Sequence, residues 1–497
     1  MTDYSKTLIK GTSVIFIATI STSLIGYFLK LLLAKNLTIT EFGLVYSIIA
    51  LFGVFLILPG IGSGKALVRF ITEYKTKNKL KEIKTTILTS FLINMCLSLT
   101  IGLILIIFSE PIALNYLHDI TKSSYIRLYA IAFILTPTIS IFKSIFAGFK
   151  KSKYYSIIDL SKMLTILIFA YIFLKLNLGV TGVFLAYILV YILPIIFYFP
   201  LLIKKVFPTF LKVKAGIKSQ KAKRLIKFGI PLTIASTAGM IFGYMDTVII
   251  TFFRSLEEVA LYNVGLPTIR IVWNFERALT VILFPIAVEL WLQKDKTRFR
   301  NGIKNLYKYI LIIIIPFTMV LFIFPELILK VLFGQAFVGA ASVVRILAIT
   351  SLIIVLARIN IAIITSIGKP SIITKVMVIG ALINIIINLI LIPIIGINGA
   401  AISTAAAFSF ILIYTHNNLK KLAQINFPVG KIIKILLIST IITITAYILK
   451  EIIQINIYLE SIIIILIGMI IYTTLIFVFK VLTPKEVKNL LNKLKNK

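Results

Sequence analysis

The 497 residues hold one cysteine, Cys96, and two histidines, His118 and His416. A single cysteine excludes an intrachain disulfide. The histidines lie far apart, and no cluster of Cys, His or carboxylates has metal-ligand spacing, so no structural or catalytic metal is expected. Acidic residues are also scarce: 17 Asp and Glu stand against 53 Lys and Arg, a formal charge of +36. What the chain has in excess is apolar residues, at 59% with a mean hydropathy of +1.05. A soluble domain would sit near roughly 45–50% apolar. The apolar runs reach about 20 residues and are continuous rather than alternating, which favours helices over a membrane β-barrel. The chain therefore reads as an all-α polytopic membrane protein.

The runs predict about fourteen spans, at 11–34, 42–64, 84–108, 124–149, 154–176, 179–203, 226–253, 259–291, 305–325, 338–366, 371–394, 397–419, 432–450 and 457–480. MTDYSKTLIKGTS leads into the first without a small-residue cleavage site, so that span is expected to be retained. Every second connection is basic, as in KNKLKEIK, KKSK and KVKAGIKSQKAKRLIK. The positive-inside rule then places both termini in the cytoplasm of a multi-pass cell-membrane protein. The net charge is thus topology, with some attraction to anionic headgroups and no expectation of nucleic acid. The terminal TPKEVKNLLNKLKNK has the pattern of a short amphipathic helix on the inner surface.

A shift of 217 positions lays Lys10 on Lys227, Gly26-Tyr27 on Gly243-Tyr244, Glu41 on Glu258, Leu44 on Leu261 and Gly179-x-x-Gly182 on Gly396-x-x-Gly399. Six helices thus repeat as six more. An even number keeps the two copies in one orientation, as in transporters built from parallel repeats. The expected organisation is a six-helix lobe over 1–207, a basic cytoplasmic linker over 208–225, a second six-helix lobe over 226–424, and two further helices with a basic tail over 425–497.

The residues along this plan resemble the multidrug/oligosaccharidyl-lipid/polysaccharide (MOP) exporter superfamily, most of all its polysaccharide transporter branch. LAKNLTITEFGLVYS presents Lys35, Leu37, Glu41, Phe42 and Gly43 in the spacing of that branch's first turn. GSGKALVRFITEY supplies small residues, then Arg69 and Glu73. Asp246 followed by SLEEVALYN resembles the second-half signature, with Ala260 where Gly is usual. Pro285 and the LFGQAF of 332–337 complete the order. The resemblance implies alternating-access translocation of a lipid-linked oligosaccharide without ATP hydrolysis by the chain. It leaves the glycan, the lipid and a coupling Na+ or H+ open, implies no other cofactor, and leaves room for other glycan-assembly proteins as partners. It also implies that the last two helices form a groove for the lipid tail.

PGIGSGKA at 59–66 looks like a phosphate-binding loop, but Pro59 and Ala66 occupy positions that need Gly and Ser or Thr. Small residues for close helix packing are the expected reading. On the first helix, Thr12, Thr19, Ser23, Gly26 and Lys30 share one face. That stripe is either a packing face or a cavity wall with Lys30 as its cation. IRIVWNFERALTVILFP, from Ile269 to Pro285, places Arg270, Trp273, Asn274 and Arg277 on one side and Glu276 elsewhere. The arginines serve either as partners of buried carboxylates such as Asp246 or as a phosphate site, for which a planar five-donor fork is suited. Arg358 is the further cavity candidate, Arg345 points to another face, and Asp159 and Lys162 are spaced to pair at i,i+3. The candidate cationic cavity is therefore Lys30, Arg270, Arg277 and Arg358, with Asp246 and Glu276 as coupling or ion-pair residues and Thr19, Ser23 and Asn274 as wall.

Three functions fit an all-α membrane protein of this kind. A flippase for a polyprenyl- or dolichyl-linked oligosaccharide needs cations to replace the water lost by phosphate. A cation-coupled multidrug exporter would call for acidic, aromatic cavities, against the excess of Lys and Arg. A glycan polymerase or ligase would need substantial external loops, and the longest here is 109–123. The expectation is therefore a transporter rather than an enzyme.

Overall fold

The computed structural model describes residues 3–59, 64–293, 295–425, 429–453, 456–484 and 486. Among these residues every regular element is helical. The first nine helices are α1 (Asp3–Asn36), α2 (Ile39–Phe55), α3 (Lys65–Thr76), α4 (Leu80–Ile107), α5 (Ser109–Tyr116), α6 (Ser123–Ile134), α7 (Thr136–Gly148), α8 (Ser152–Lys175) and α9 (Gly179–Leu201). The next five are α10 (Ser219–Met240), α11 (Asp246–Phe253), α12 (Leu256–Leu292), α13 (Lys296–Ile323) and α14 (Pro325–Phe333). The last five are α15 (Ala341–Ser366), α16 (Pro370–Ile395), α17 (Ile397–Ala423), α18 (Val429–Ile452) and α19 (Ile457–Val478).

Among the described residues, eleven helices are long and apolar enough to cross a membrane. The other three expected spans differ in form. The span expected at 42–64 holds α2, which ends at Phe55, and a turn that runs toward Pro59. Residues 60–63 of the PGIGSGKA motif lie outside the described residues. The span at 226–253 is divided by a π-helical turn, Ile241–Met245, between α10 and α11. The span at 259–291 lies in α12, where the side chains of 274–286 are outside the described set. The connection 109–123, expected to be a loop, holds α5 and a 3-10 turn over Ile120–Lys122. The pattern for an amphipathic helix after 486 also lies outside the described residues.

Polar and apolar residues are distributed for a lipid surround. Asn94, Asn360, Asn384 and Asn388 are 0% exposed, whereas Ile107, Ile394 and Ile470 are 72%, 70% and 67% exposed. Water would reward the opposite arrangement, and hydrocarbon rewards this one.

The chain divides into two compact units. One comprises Met1–Asn263 with Asn388–Gly396, and the other Val264–Ile387 with Ile397–Lys497. In the first, α1 packs along α8, α8 on α9, and α4 against α6. The α1–α2 turn is fixed by a capping box: Thr38 Oγ1 accepts from the Glu41 amide at 3.2 Å, and the Thr38 amide donates to Glu41 at 2.9 Å. Such a cap is worth about 1 kcal/mol. Two residues on, Gly43 meets the start of α12 so closely that a Cβ would fall 1.9 Å from the Leu256 carbonyl oxygen.

In the second unit, α15 packs on α17 and α13, and α18 packs on α13 and α19. Small buried residues, Ala400, Ser403 and Ala407, line α17 and permit close helix approach where lipid gives no hydrophobic drive. Leu311, Ile315, Ile435, Ile438, Tyr472 and Ile476 form one core across α13, α18 and α19. Tyr472 spends its hydroxyl on the Ile312 carbonyl at 2.8 Å, so the last two helices are tied to the unit by a polar bond as well.

Candidate functional site

In the first unit, Lys30 and Asp246 each sit in a cluster of polar bonds, and the two clusters meet at the neighbouring positions 246 and 247 of the chain. α1 carries Lys30 to α12, where its ammonium donates to the Asn263 carbonyl at 2.8 Å and lies 4.0 Å from the centre of the Tyr46 ring. Asn263 then donates from its amide to Thr247 Oγ1 at 3.1 Å. Asp246, next in the chain to Thr247, is 5% exposed. Its carboxylate accepts from the Tyr262 hydroxyl at 2.6 Å and from the Asn388 amide at 2.7 Å. The π turn just before α11 admits one extra residue per turn and sets the direction in which Asp246 leaves the helix.

Contacts in this unit recur at the spacing of the sequence repeat. Lys30 meets Tyr46 as Thr247 meets Asn263, with each residue of the second pair 217 positions after its counterpart. Gly179 lies against Glu41 as Gly396 lies against Glu258. Both glycines have positive φ, +49° and +59°, where a side chain would be strained. Ser255 accepts from the Glu258 amide at 3.3 Å, as Thr38 accepts from that of Glu41.

The polar stripe of α1 is mixed in character. Thr19 and Gly26 are half-buried, with a Cβ on Gly26 lying 3.9 Å from Met163 of α8. Ser23 is exposed and donates to the Thr19 carbonyl at 2.9 Å.

In the second unit, α12 and α15 hold a smaller cluster. Buried Trp273 donates its indole N–H to Ser351 at 3.0 Å. One heptad along α15, the guanidinium of Arg358 lies 4.9 Å from the centre of the same indole. Cation and ring so placed attract by roughly 0.5–2 kcal/mol. Arg270, three residues before Trp273, is exposed. Arg345 points elsewhere, to Glu326 at 2.7 Å. Below this cluster, Tyr307 donates to Asn360, and Asn360 to Thr415 at 3.1 Å, which joins α13, α15 and α17 in the core. The side chains of Asn274, Glu276 and Arg277 lie outside the described residues.

Asp159 departs from expectation. Its ion pair is with Lys143 of α7 at 2.6 Å, and Lys162 turns instead to Tyr191, 3.4 Å from its hydroxyl and 5.3 Å from its ring centre. The i,i+3 spacing brings two side chains to one face, but α7 offers Asp159 a better-aimed cation. Sequence reasoning also missed Tyr46, Asn263 and Asn388. Tyr262 and Asn263 stood in the quoted SLEEVALYN, and the Asn384/Asn388 pair at i,i+4 in an apolar run was the signal for a buried polar face.

Comparison with known proteins places this architecture. The chain matches the polysaccharide biosynthesis protein family over residues 8–291, more than half its length. An uncharacterized membrane protein of Methanocaldococcus jannaschii is 29% identical over 449 residues, 88% of each chain. A protein of Haloferax volcanii described as a probable low-salt glycan biosynthesis flippase is 25% identical over 44% of this chain and 48% of its own. Among solved structures, the lipid II flippase MurJ in an inward closed conformation superposes with a TM-score of 0.75 at 17% identity, covering 94% of this chain and 98% of that one. An inward-facing multidrug resistance MATE transporter reaches 0.67 at 13% identity, over 81% and 96%. The fold is therefore that of the MOP superfamily, and the chain belongs to the polysaccharide biosynthesis protein family, its polysaccharide transporter branch.

Proposed function

We propose that this chain is a flippase that moves a polyprenyl- or dolichyl-(pyro)phosphate-linked oligosaccharide across the cytoplasmic membrane by alternating access. The observation that carries the reading is the family match over 8–291, which contains Lys30, Asp246, Arg270 and Arg277. A flippase fold and an archaeal relative described as a glycan flippase support it. The phosphate must leave water to cross about 30 Å of hydrocarbon. Lys30, Arg270, Arg277 and Arg358 are the cations we assign to it, and each would replace part of its hydration. Asp246, which accepts from Tyr262 and Asn388, and Glu276 are the carboxylates we assign to coupling or ion pairing. Thr19, Ser23 and Asn274 are assigned to the wall.

The test measures lipid-linked oligosaccharide reaching the outer leaflet of cells at matched protein levels. Arg277→Lys keeps the charge and loses the bidentate fork, so transport falls. Arg277→Ala and Lys30→Ala each lower it further, and together they cost less than the sum if one ligand is shared. Full transport by Arg277→Ala would remove that residue from the assignment. Export of organic cations with no effect on glycolipid would favour the multidrug reading instead.

A further inference from the structure

Two basic sequence segments, KNKLKEIK and KVKAGIKSQKAKRLIK, fold against one cavity of about 720 Å³ in the first unit. Asn78, at φ +52°, ends α3 in a left-handed turn, and the Lys79 amide closes on the Tyr74 carbonyl at 2.9 Å. The chain reverses there and enters α4. On the other wall, α10 starts at Ser219.

Six cations line the space: Lys77, Lys79, Lys81, Lys218, Lys221 and Arg224. Two carboxylates oppose them, Glu73 and Glu82, which leaves a net charge of +4 (six minus two). Lys77 and Arg224 share Glu73 at 3.0 and 3.3 Å, and Lys221 pairs with Glu82 at 2.6 Å. The Lys77 hydrogen bond, then the Arg224 charge, holds the Glu73 carboxyl below its ordinary range, so it counts as ionised. Among the described residues no ion pair within 4.0 Å engages Lys79, Lys81 or Lys218. All three are exposed to the cavity mouth. The N-termini of α4 and α10 open here as well, and neither Lys79 nor Lys218 gives a side-chain cap. Each terminus adds donors and partial positive charge to the same space.

We infer that this cavity binds a phosphate group, and that its three lysines without a close ion pair supply the selectivity for anions. The volume falls within the range of small-ligand sites and exceeds a bare phosphate severalfold, which leaves room for what the phosphate carries. α4 is a span that begins at Leu80, so the cavity lies where a span meets water, at the depth of lipid headgroups. The phosphate is therefore either that of a bilayer lipid or that of a soluble diphosphate. The inference is independent of the flippase reading, because none of the residues assigned to transport lines the cavity.

The experiment titrates the purified full chain in detergent with inorganic pyrophosphate and, separately, with short-chain phosphatidylglycerol, following binding by native mass spectrometry. Binding of either probe is expected, and which one binds assigns the source. The triple change Lys79→Gln/Lys81→Gln/Lys218→Gln should weaken binding on the order of 100-fold, the product of three surface cations. Lys150→Gln/Lys151→Gln/Lys153→Gln removes equal charge from another basic loop and should leave affinity unchanged. Lys81→Gln alone, on an exposed position of the first turn of α4, should weaken binding in the same direction with the melting temperature unaltered. No binding of either probe by the native chain, equal loss in the two triple variants, or full binding by the Lys79/Lys81/Lys218 variant would overturn the site.

Discussion

Asp246 shows why a motif residue is held where it is. It is 5% exposed and accepts from Tyr262 and Asn388 at 2.6 and 2.7 Å. Asp246→Ala leaves two buried donors without that acceptor, each costing about 1–3 kcal/mol. Tyr262→Phe removes one donor and should cost less. The double change should cost less than the sum by roughly 0.5–3 kcal/mol, because one bond is counted in both single changes. Thermal melting of the purified variants measures this, and strict additivity would mean that the bond does not couple them. Asp246 and Tyr262 are the two ends of a signature legible in the sequence, and their hydrogen bond gives that signature a physical reason. Asn388 was not legible, since 142 positions separate it from Asp246 and only folding brings them together. Lys143 was missed as the partner of Asp159 for the same reason: local spacing named Lys162, and the neighbouring helix won.

Helices were read well as apolar runs and less well where they break. The π turn Ile241–Met245 and the end of α2 at Phe55 interrupt runs that hydropathy alone treats as continuous. Hydropathy counts side chains, whereas a break depends on backbone bonds and on what the neighbouring helices re-satisfy. The helix caps were legible in principle, because TITE at 38–41 and SLEE at 255–258 both carry the S/T-x-x-E pattern, the first as a full capping box and the second with the serine cap while Glu258 accepts from Arg254. A third lies at Thr483–Glu486, where Glu486 accepts from the Thr483 amide at 3.0 Å and also from Lys308 of α13 at 2.7 Å. Lys308 is 1% exposed. Glu486→Ala should therefore destabilise by about 3 kcal/mol, the lower end for breaking a buried pair, because Glu486 itself is partly exposed. Lys308→Met removes the buried charge with its partner's demand and should cost less. A larger loss for Lys308→Met in a melting series would contradict this ordering.

At the scale of the whole chain, the two compact units do not follow the lobe bounds read from the sequence, 1–207 and 226–424. Equivalent contacts at a spacing of 217 residues recur in Lys30–Tyr46 and Thr247–Asn263, and in Glu41–Gly179 and Glu258–Gly396. Orientation follows from the basic loops: we propose that both termini and the 204–226 segment face the cytoplasm. Single cysteines placed near Asn36, Asp119 or Leu256 should label from outside intact cells, and one near Lys79 or Lys218 only after permeabilisation. External labelling of 204–226 would reverse the orientation. What the sequence could not supply is the cargo, because the phosphate site we propose would bind a group common to many lipid-linked glycans and say nothing of the sugars. The central claim is tested most directly by reconstituting the purified chain into phospholipid vesicles that carry a fluorescent, diphosphate-linked oligosaccharyl lipid and following its exposure to a membrane-impermeant glycosidase. The account predicts that about half of the lipid, the inner-leaflet fraction, becomes cleavable with the protein present and stays protected without it. Protection of that fraction in vesicles with native, folded protein, under Na+ and proton gradients of either direction, would contradict it.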